Sequence, residues 1–291
     1  MKNYRSIEEV VHPAPAHMVG NGFRVMSYHP NDDSFGKRMS PFFLMDYNAE
    51  VDFPPTNDPR GVGVHPHRGF ETVTIAYKGA VAHHDSFGNS GIIKAGDVQW
   101  MTAGAGILHK EYHEKSYAAQ GGPFQMIQLW VNLPKKFKLT KPKYQAILHS
   151  EKAALTLPDN KGTVHVIAGE YEGLKGPAST FSPLEMYDIR LEAGGKMTLN
   201  VPAHFNTGIL LLDGEVNVNT SQLVGSENFV VFTNTAGEIL IEANKKSTLL
   251  FLSGAPLNEP VASYGPFVMN TVQEIQEAFD DLNAGKFGKL E

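Results

Sequence analysis

The sequence predicts an all-β protein made of two β-barrels, with one short helix near the C-terminus. Three observations support this prediction: short apolar segments separated by turn signals, a weak repeat between the two halves of the chain, and a single helical pattern close to its end. The 28 glycines and 18 prolines among 291 residues supply the turns that many short strands require.

Short apolar segments occur along the whole chain. Each is rich in β-branched, leucine or aromatic residues and is bounded by glycine, proline, asparagine or aspartate. Strands at this spacing are typical of a β-sandwich or a β-barrel. The segments occupy 71–79, 90–101, 124–134, 186–195, 208–219, 228–234, 237–243 and 248–254.

A weak internal repeat divides the chain into two similar halves. Residues 72–85 have the pattern strand, glycine, strand, and residues 207–219 repeat it about 135 positions later. Two copies of one β-domain are the simplest explanation of such a repeat. A polar, loop-like stretch at 148–164 indicates the boundary, which predicts an N-terminal domain at 1–148 and a C-terminal domain at 149–291.

The helical pattern lies at 271–284, within the second predicted domain. Thr271 and Glu274 match a capping box, and Gly285 suits the end of the helix. A single apolar stripe predicts a helix that packs on the β-core, and a partner-binding helix is the alternative. The stripe consists of Val272, Ile275, Ala278, Phe279 and Leu282.

The composition excludes several classes of protein. The chain has no cysteine, so disulfides, thiolate zinc sites, iron–sulfur clusters and a cysteine nucleophile are ruled out. The formal net charge of −6 argues against direct nucleic-acid binding. No segment approaches the roughly 18 apolar residues of a spanning helix, and residues 1–17 lack the apolar run of a signal peptide. We therefore expect a cytoplasmic protein with no membrane partner.

Half of the twelve histidines cluster in the first predicted domain. His65 and His67 are two residues apart, so on a strand they share a face, and the same parity continues through Glu71 into the apolar stretch 73–77. This alternation predicts that both imidazoles point into the barrel, unless a turn before Gly69 breaks the phase. The six histidines are His65, His67, His83, His84, His109 and His113.

A second pair, His109 and Glu111, also shares one parity and can face the first pair. Three imidazoles and one carboxylate suit a divalent first-row metal such as Fe, Mn, Ni, Cu or Zn. Burying these groups without a cation would cost several kcal/mol. His83 and His84 are adjacent at a hairpin rim, so at most one can point inward, and we expect them at the surface or beside the ligands. We do not expect His113, which can lie beyond the strand end, to be a ligand.

Four stretches resemble signature motifs of the pirin family, within the cupin superfamily. The resemblance covers nearly the whole chain and implies two cupin barrels (double-stranded β-helix or jelly-roll), with a metal in the N-terminal barrel only. In agreement, the C-terminal repeat has only His204 and no second His-x-Glu. The stretches are HPHRGFETVT at 65–74, DSFGNSGIIKAGDVQWMTAGAGILHKE at 85–111, QLWVNLP at 128–134 and YGPFVMNT at 264–271.

The resemblance also implies the ligands, which are His65, His67, His109 and Glu111, and the usual family metal, Fe(II). Mn, Ni, Cu and Zn tolerate the same ligand set. In many other cupins the position of Glu71 supplies the carboxylate ligand. Here we expect Glu71 either to lie beside the ligands without binding the metal or to make a structural hydrogen bond.

The activity that the resemblance implies is that of a quercetin 2,3-dioxygenase, an oxidoreductase that acts on an aromatic flavonol and dioxygen. Glu111 is then the candidate catalytic residue, which helps to deprotonate the 3-hydroxyl of the flavonol. A non-catalytic, metal-dependent coregulator or protein-interaction module is the alternative from another class, and a metal-dependent isomerase or hydrolase is a third possibility. Candidate substrate-lining residues are Phe43, Asp46, Arg68, Trp100 and Gln128.

Overall fold

A computed structural model describes residues 3–291 and confirms a mainly β architecture. The strands are β1 Ile7–Val11, β2 His17–Val19, β3 Phe23–Ser27, β4 Phe42–Phe53, β5 Gly61–His67, β6 Phe70–Lys78, β7 Ala80–Asp85, β8 Ser90–Lys94, β9 Val98–Thr102, β10 Ile107–His113, β11 Gly122–Asn132, β12 Lys143–Ile147, β13 Ala153–Thr156, β14 Gly162–Ala168, β15 Glu170–Tyr171, β16 Leu174–Lys175, β17 Leu184–Leu191, β18 Lys196–Leu199, β19 Asn206–Asp213, β20 Glu215–Val218, β21 Gln222–Gly225, β22 Phe229–Phe232, β23 Ile239–Ala243, β24 Ser247–Gly254, β25 Ala262–Tyr264 and β26 Phe267–Met269. The helices are α1 Phe35–Met39, α2 Lys115–Gln120 and α3 Val272–Asn283.

The unit that carries the histidine cluster comprises Pro15–Ser27, Phe42–His149 and Leu257–Glu291. Its larger sheet has the strand order β12-β9-β6-β11-β4-β3-β2, and its smaller sheet has the order β5-β10-β7-β8. Neighbouring strands in both sheets run antiparallel. The clustered histidines and Glu111 come from the smaller sheet, and strands of the larger sheet supply polar residues that contact Glu111.

The other unit comprises residues 3–14 together with Tyr28–Pro41 and Ser150–Pro256. Its larger sheet has the order β1-β22-β19-β24-β17-β14-β13, and its smaller sheet has the order β18-β23-β20-β21. Each unit therefore combines a seven-stranded and a four-stranded sheet, which is the physical basis of the weak sequence repeat. The interior of this second unit is filled with valine, isoleucine, leucine and aromatic side chains.

This grouping differs from the predicted limits of 1–148 and 149–291 at both ends of the chain. The N-terminal β1 pairs with β22, so it belongs to the unit made mainly of later residues. The C-terminal α3 packs on β25 and β26, in the unit that carries the histidines. A sequence boundary drawn at the polar stretch 148–164 cannot detect such exchanges, because strand pairing and not chain order decides which segments fold together.

The predicted C-terminal helix is confirmed as α3. The Thr271 hydroxyl accepts a hydrogen bond from the Glu274 backbone N–H at 3.2 Å, and the Glu274 carboxylate accepts one from the Thr271 backbone N–H at 2.9 Å. Gly285 follows the helix with φ +73°, a conformation that favours glycine. On the apolar stripe, Ile275 and Ala278 are buried against the β25–β26 hairpin and the C-terminal segment.

The two short helices α1 and α2 have no counterpart in the sequence prediction. They contain five and six residues, too few to show a 3.6-residue periodicity. The Glu114 carboxylate caps α2 by accepting hydrogen bonds from two backbone N–H groups of its first turn. Within residues 3–291, no helix has the length and apolar character needed to cross a bilayer.

Candidate metal centre

The turn after His67 changes the direction in which the following side chains point. His67 ends β5 in the four-stranded sheet, and β6 begins at Phe70 in the seven-stranded sheet. Gly69 between them has φ +87°. The predicted continuous parity from His65 through Glu71 is therefore wrong. The face of β6 that approaches the cluster carries Thr74, whose hydroxyl lies 3.3 Å from the Glu111 carboxylate.

Three imidazoles converge where β5 and β10 pair. His109 lies directly opposite His65 in the antiparallel register. The ring centroids are 4.2 Å apart for His65 and His109, and 4.8 Å apart both for His65 and His67 and for His67 and His109. One nitrogen from each ring lies within 4.8 Å of the others. The three rings are thus close enough to bind one ion together.

In two of these rings, Nδ1 forms a hydrogen bond with a backbone carbonyl oxygen. His65 Nδ1 lies 2.8 Å from the Gly63 oxygen, and His67 Nδ1 lies 3.4 Å from the Pro266 oxygen. Because a carbonyl can only accept, each ring carries its proton on Nδ1 and presents the lone pair of Nε2. His109 Nε2 is buried and has no hydrogen-bond partner in the described part of the chain.

Burial keeps two of the imidazoles neutral. It lowers the pKa of His67 to about 3, with a further contribution from the charge of His65. Burial also lowers the pKa of His109 well below its ordinary value, as do the neighbouring histidines. Since only the neutral ring can bind a metal, both side chains are in the binding-competent form at neutral pH.

Glu111 brings a buried carboxylate to the same cluster. It lies two residues after His109 on β10, so the two side chains share a face. One oxygen, Oε1, accepts from Gln99 Nε2 at 2.7 Å and from the Thr74 hydroxyl, and Oε2 accepts from Gln128 Nε2 at 2.8 Å. These three donors are neutral. They stabilise the negative charge without cancelling it, an arrangement that favours a nearby cation.

The donor set fits a divalent metal ion. Two overlapping groups have ligand atoms within 4.8 Å of one another: His65 with His67 and His109, and His83 with His109 and Glu111. The unpartnered Nε2 of His109 and the uncancelled charge of Glu111 are the features that a bound cation would satisfy. Three of the four predicted ligands thus form one group, Glu111 joins it only through His109, and their role as ligands stays a prediction.

Glu71 belongs to neither group. Its Oε1 accepts a 2.7 Å hydrogen bond from the Thr102 hydroxyl, on the strand paired with β6. Burial raises the pKa of Glu71 to about 7, against the opposing effect of that hydrogen bond. The carboxyl makes a structural contact on the face of β6 opposite to that of Thr74.

The remaining histidines separate into buried and partly exposed positions. His83 is the one of the adjacent pair that points inward: it is fully buried, with Nδ1 3.5 Å from His109 Nδ1 and Nε2 3.3 Å from Asp85 Oδ2. His84, its neighbour on β7, faces the other way and is partly exposed. His113 is buried among phenylalanine rings, its Nε2 donates to the Gly22 carbonyl oxygen at 2.8 Å, and it is in neither group.

Two of the predicted substrate-lining residues lie in a polar row across the larger sheet. Asp46 pairs with Gln128, Gln128 with Thr74, and Thr74 with Gln99, on four adjacent strands. Paired residues share a face, so all four side chains point the same way. Gln128 reaches Glu111, whereas Asp46 accepts a 2.6 Å hydrogen bond from the Ser27 hydroxyl.

Phe43 is separated from the cluster by one aromatic ring. It stacks on Trp130 with centroids 6.3 Å apart and an interplanar angle of 12°. Trp130 in turn lies 5.2 Å from the His67 ring and stacks on Phe70 at 4.2 Å. An aromatic surface therefore borders the imidazoles on this side.

The other two predicted lining residues point elsewhere. Arg68 Nη1 donates to an Asp281 carboxylate oxygen at 2.7 Å, and its guanidinium lies over the Phe287 ring, so it is directed at the C-terminal segment. Trp100 is fully buried and lies on the face of β9 opposite to that of Gln99. Because side chains alternate along a strand, Trp100 points away from Glu111 and does not border the cluster as expected.

Several residues that contact the cluster were missed by sequence reasoning. Gln99 and Thr74 hold Glu111, and Asp85 contacts His83. Tyr144 stacks on His83 with centroids 5.0 Å apart, and its hydroxyl donates to Gln99 Oε1 at 3.2 Å. The sequence signal that could have found these residues is their polarity within otherwise apolar strands, since a buried polar side chain requires a hydrogen-bond partner.

Comparisons with known proteins agree with this architecture. The family model described as Pirin matches residues 22–131, and that of the Pirin C-terminal cupin domain matches 186–288. A Pseudomonas aeruginosa protein with the provisional name quercetin 2,3-dioxygenase is 45% identical over 274 residues, which are 94% of this chain and 95% of that protein. A pirin-like protein of Solanum lycopersicum is 37% identical over 256 residues, covering 87% of this chain and 83% of its own.

A solved structure matches over almost the full length. The crystal structure of quercetin 2,3-dioxygenase from Acinetobacter baumannii has a TM-score of 0.94 with this chain, at 46% sequence identity. The match covers 99% of this chain and 100% of that one. The fold described above is therefore shared from end to end with that structure.

Proposed function

The chain belongs to the pirin family, with two cupin domains, and on this premise we propose that it is a metal-dependent dioxygenase that cleaves flavonols such as quercetin. The observation that carries the proposal is the convergence of His65, His67 and His109, with the buried carboxylate of Glu111 beside His109. The names of two similar proteins, from P. aeruginosa and A. baumannii, support the choice of substrate.

His65, His67, His109 and Glu111 would hold one divalent transition metal, and we propose Fe(II). When bound, the metal supplies a Lewis acid that orients the flavonol and dioxygen and stabilises the substrate oxyanion. The overall reaction adds dioxygen to the flavonol and yields a depside and carbon monoxide, which balances all atoms.

Glu111 is proposed to accept the proton of the flavonol 3-hydroxyl. Its Oε2 has one neutral donor, Gln128 Nε2, and retains one lone pair, which would bind the metal in the resting protein and take the proton once the flavonol is bound. Gln99 and Thr74 hold Oε1, so the carboxylate keeps one orientation while the proton moves. A base positioned in this way contributes to the rate without any movement of its strand.

The aromatic side chains beside His67 are proposed to bind the flat rings of the substrate. Trp130 and Phe43 are stacked and only partly buried, so they offer both apolar area and access. His67 and His109 are almost completely shielded from solvent, which limits the water that reaches the reacting atoms.

An oxygen-uptake assay tests the proposal. Metal-free protein is loaded separately with Fe(II), Mn(II), Ni(II), Cu(II) or Zn(II) and mixed with quercetin, while dioxygen, carbon monoxide and the flavonol absorbance are followed. We expect at least one loaded form, with Fe(II) the first candidate, to consume one dioxygen for each flavonol lost. If no loaded form consumes dioxygen and the absorbance does not change, the dioxygenase proposal fails and the non-catalytic alternative gains.

A further inference from the structure

His109 differs from His65 and His67 in the hydrogen-bond partner of its Nδ1 atom. His65 and His67 each face a carbonyl oxygen, which fixes the proton on Nδ1. His109 Nδ1 instead faces His83 Nδ1 at 3.5 Å. A neutral imidazole can donate or accept at this position, so the contact alone does not decide which nitrogen of His109 carries the proton.

Asp85 removes this ambiguity. Its Oδ2 lies 3.3 Å from His83 Nε2, and a carboxylate can only accept. A neutral His83 therefore carries its proton on Nε2, and its Nδ1 is an acceptor for the Nδ1–H of His109. That leaves the lone pair of His109 on Nε2, the buried atom that has no partner among residues 3–291.

Hydrogen bonds fix the Asp85 carboxylate in place. Its other oxygen, Oδ1, accepts from the backbone N–H of Phe87 at 2.9 Å and of Asn89 at 3.0 Å, and from Asn89 Nδ2 at 3.1 Å. Oδ2, the oxygen beside His83, also accepts from Asn89 Nδ2 at 2.9 Å.

We propose that Asp85 and His83 are positioning residues that fix the tautomer of His109, so that Nε2 is the atom offered to the metal. The inference rests on the metal site of the proposed function but not on the flavonol chemistry. Tyr144 supports the arrangement, because its ring stacks on His83 at an interplanar angle of 22°. Its hydroxyl also orients Gln99, which holds Glu111, so one tyrosine supports both halves of the ligand set.

Asp85→Asn reverses the polarity of this chain of hydrogen bonds. The two backbone N–H groups keep the amide oxygen of the new side chain at the Oδ1 position, so its NH₂ group replaces Oδ2, loses the Asn89 Nδ2 donor and donates to His83 Nε2. His83 must then carry its proton on Nδ1 and donate to His109, which moves the His109 proton to Nε2. The metal now has to displace this proton from Nε2.

Two measurements test the inference. Long-range ¹H–¹⁵N NMR of the metal-free protein reports which ring nitrogen of His109 is protonated: we expect Nδ1 in the wild type and Nε2 in Asp85→Asn. Competition with a chromophoric chelator gives the Zn²⁺ affinity, which we expect to fall about 10- to 100-fold in the variant. His84→Gln is the matched control on the same strand, because His84 faces away from the cluster, and it should change neither readout.

Three results would overturn the inference. These are a proton on His109 Nε2 in the wild-type metal-free protein, an Asp85→Asn variant that binds Zn²⁺ as tightly as His84→Gln, and a zinc-bound nitrogen on His83, which would make His83 a ligand. If Asp85→Asn does not fold, the wild-type tautomer decides alone. Both measurements are made without flavonol, so a failure of the dioxygenase proposal is recognised separately.

Discussion

Gln128 Nε2 donates a 2.8 Å hydrogen bond to Glu111 Oε2, which ties a strand of the larger sheet to the candidate catalytic carboxylate on the smaller one. The contact leaves Gln128 partly exposed and Glu111 buried. A residue expected only to line the substrate site therefore also orients the group that is proposed to accept the substrate proton.

Gln128→Leu should lower the turnover of flavonol about 10-fold, because Glu111 Oε2 loses its donor and the carboxylate can rotate. Zn²⁺ affinity should change much less, since Gln99 and Thr74 still hold Oε1. Steady-state kinetics and chelator competition measure the two effects. Gln125→Leu is the control on the same strand, because Gln125 donates to the Tyr47 hydroxyl instead. Equal losses in both variants would argue against a specific role for Gln128.

The two carboxylates should respond differently to neutralisation. Glu111→Gln is expected to lower metal affinity at least about 10-fold, because a charged ligand becomes a neutral amide. Glu71→Gln should retain metal, since Glu71 contacts Thr102 and lies outside both ligand groups. Elemental analysis of each purified variant checks this. If only Glu71→Gln loses its metal, then Glu71 and not Glu111 is the carboxylate ligand, as in many other cupins.

The buried carboxyl of Glu71 should also make stability depend on pH. Its pKa is about 7 in the folded chain and near 4.5 when unfolded, so the folded state holds a proton that the unfolded state has released between these values. The stabilising contribution of the Glu71 carboxyl to the free energy of unfolding is fully present below about pH 4.5. It is lost as the pH rises through 7, by up to about 3 kcal/mol. We expect the melting temperature of metal-free Glu71→Gln to exceed that of the wild type increasingly from pH 5 to pH 8. A constant difference would contradict this.

Lys138 should stabilise the turn that follows His67. Its ammonium is buried and donates to the carbonyl oxygens of Gly69 at 2.8 Å and Val268 at 2.5 Å, and also to the Asn132 side chain. Lys138→Met would leave three oxygens without their donor, and we expect a loss of about 3 kcal/mol in the free energy of unfolding. Urea denaturation measures it, with the exposed Lys136→Met as control. A loss no larger than in the control would show that the buried ammonium does not stabilise the turn.

The core of the site could be predicted from sequence because its residues are close together in the chain. His65-x-His67 and His109-x-Glu111 each share a face by strand alternation alone, and pairing of β5 with β10 brings them together. The relative direction of the His67 and Glu71 side chains could not be predicted, because the chain passes from one sheet to the other at Gly69, which has a positive φ.

Contacts that depend on three-dimensional pairing were also out of reach. Strand alternation predicts that at most one of His83 and His84 faces inward, but it does not say which of the two is buried. Tyr144 lies more than thirty positions after His109 and reaches His83 only because β12 joins the larger sheet beside β9. The exchange of terminal segments between the two units is a similar long-range effect.

The most direct test of the account is a crystal structure of the Fe(II)-loaded protein, with the ion located by anomalous scattering at the iron edge. The account predicts one ion, bound by Nε2 of His65, His67 and His109 and by a carboxylate oxygen of Glu111. An ion held by His83 or Glu71 in place of one of these ligands, or no ion in the barrel of the histidine cluster, would contradict it.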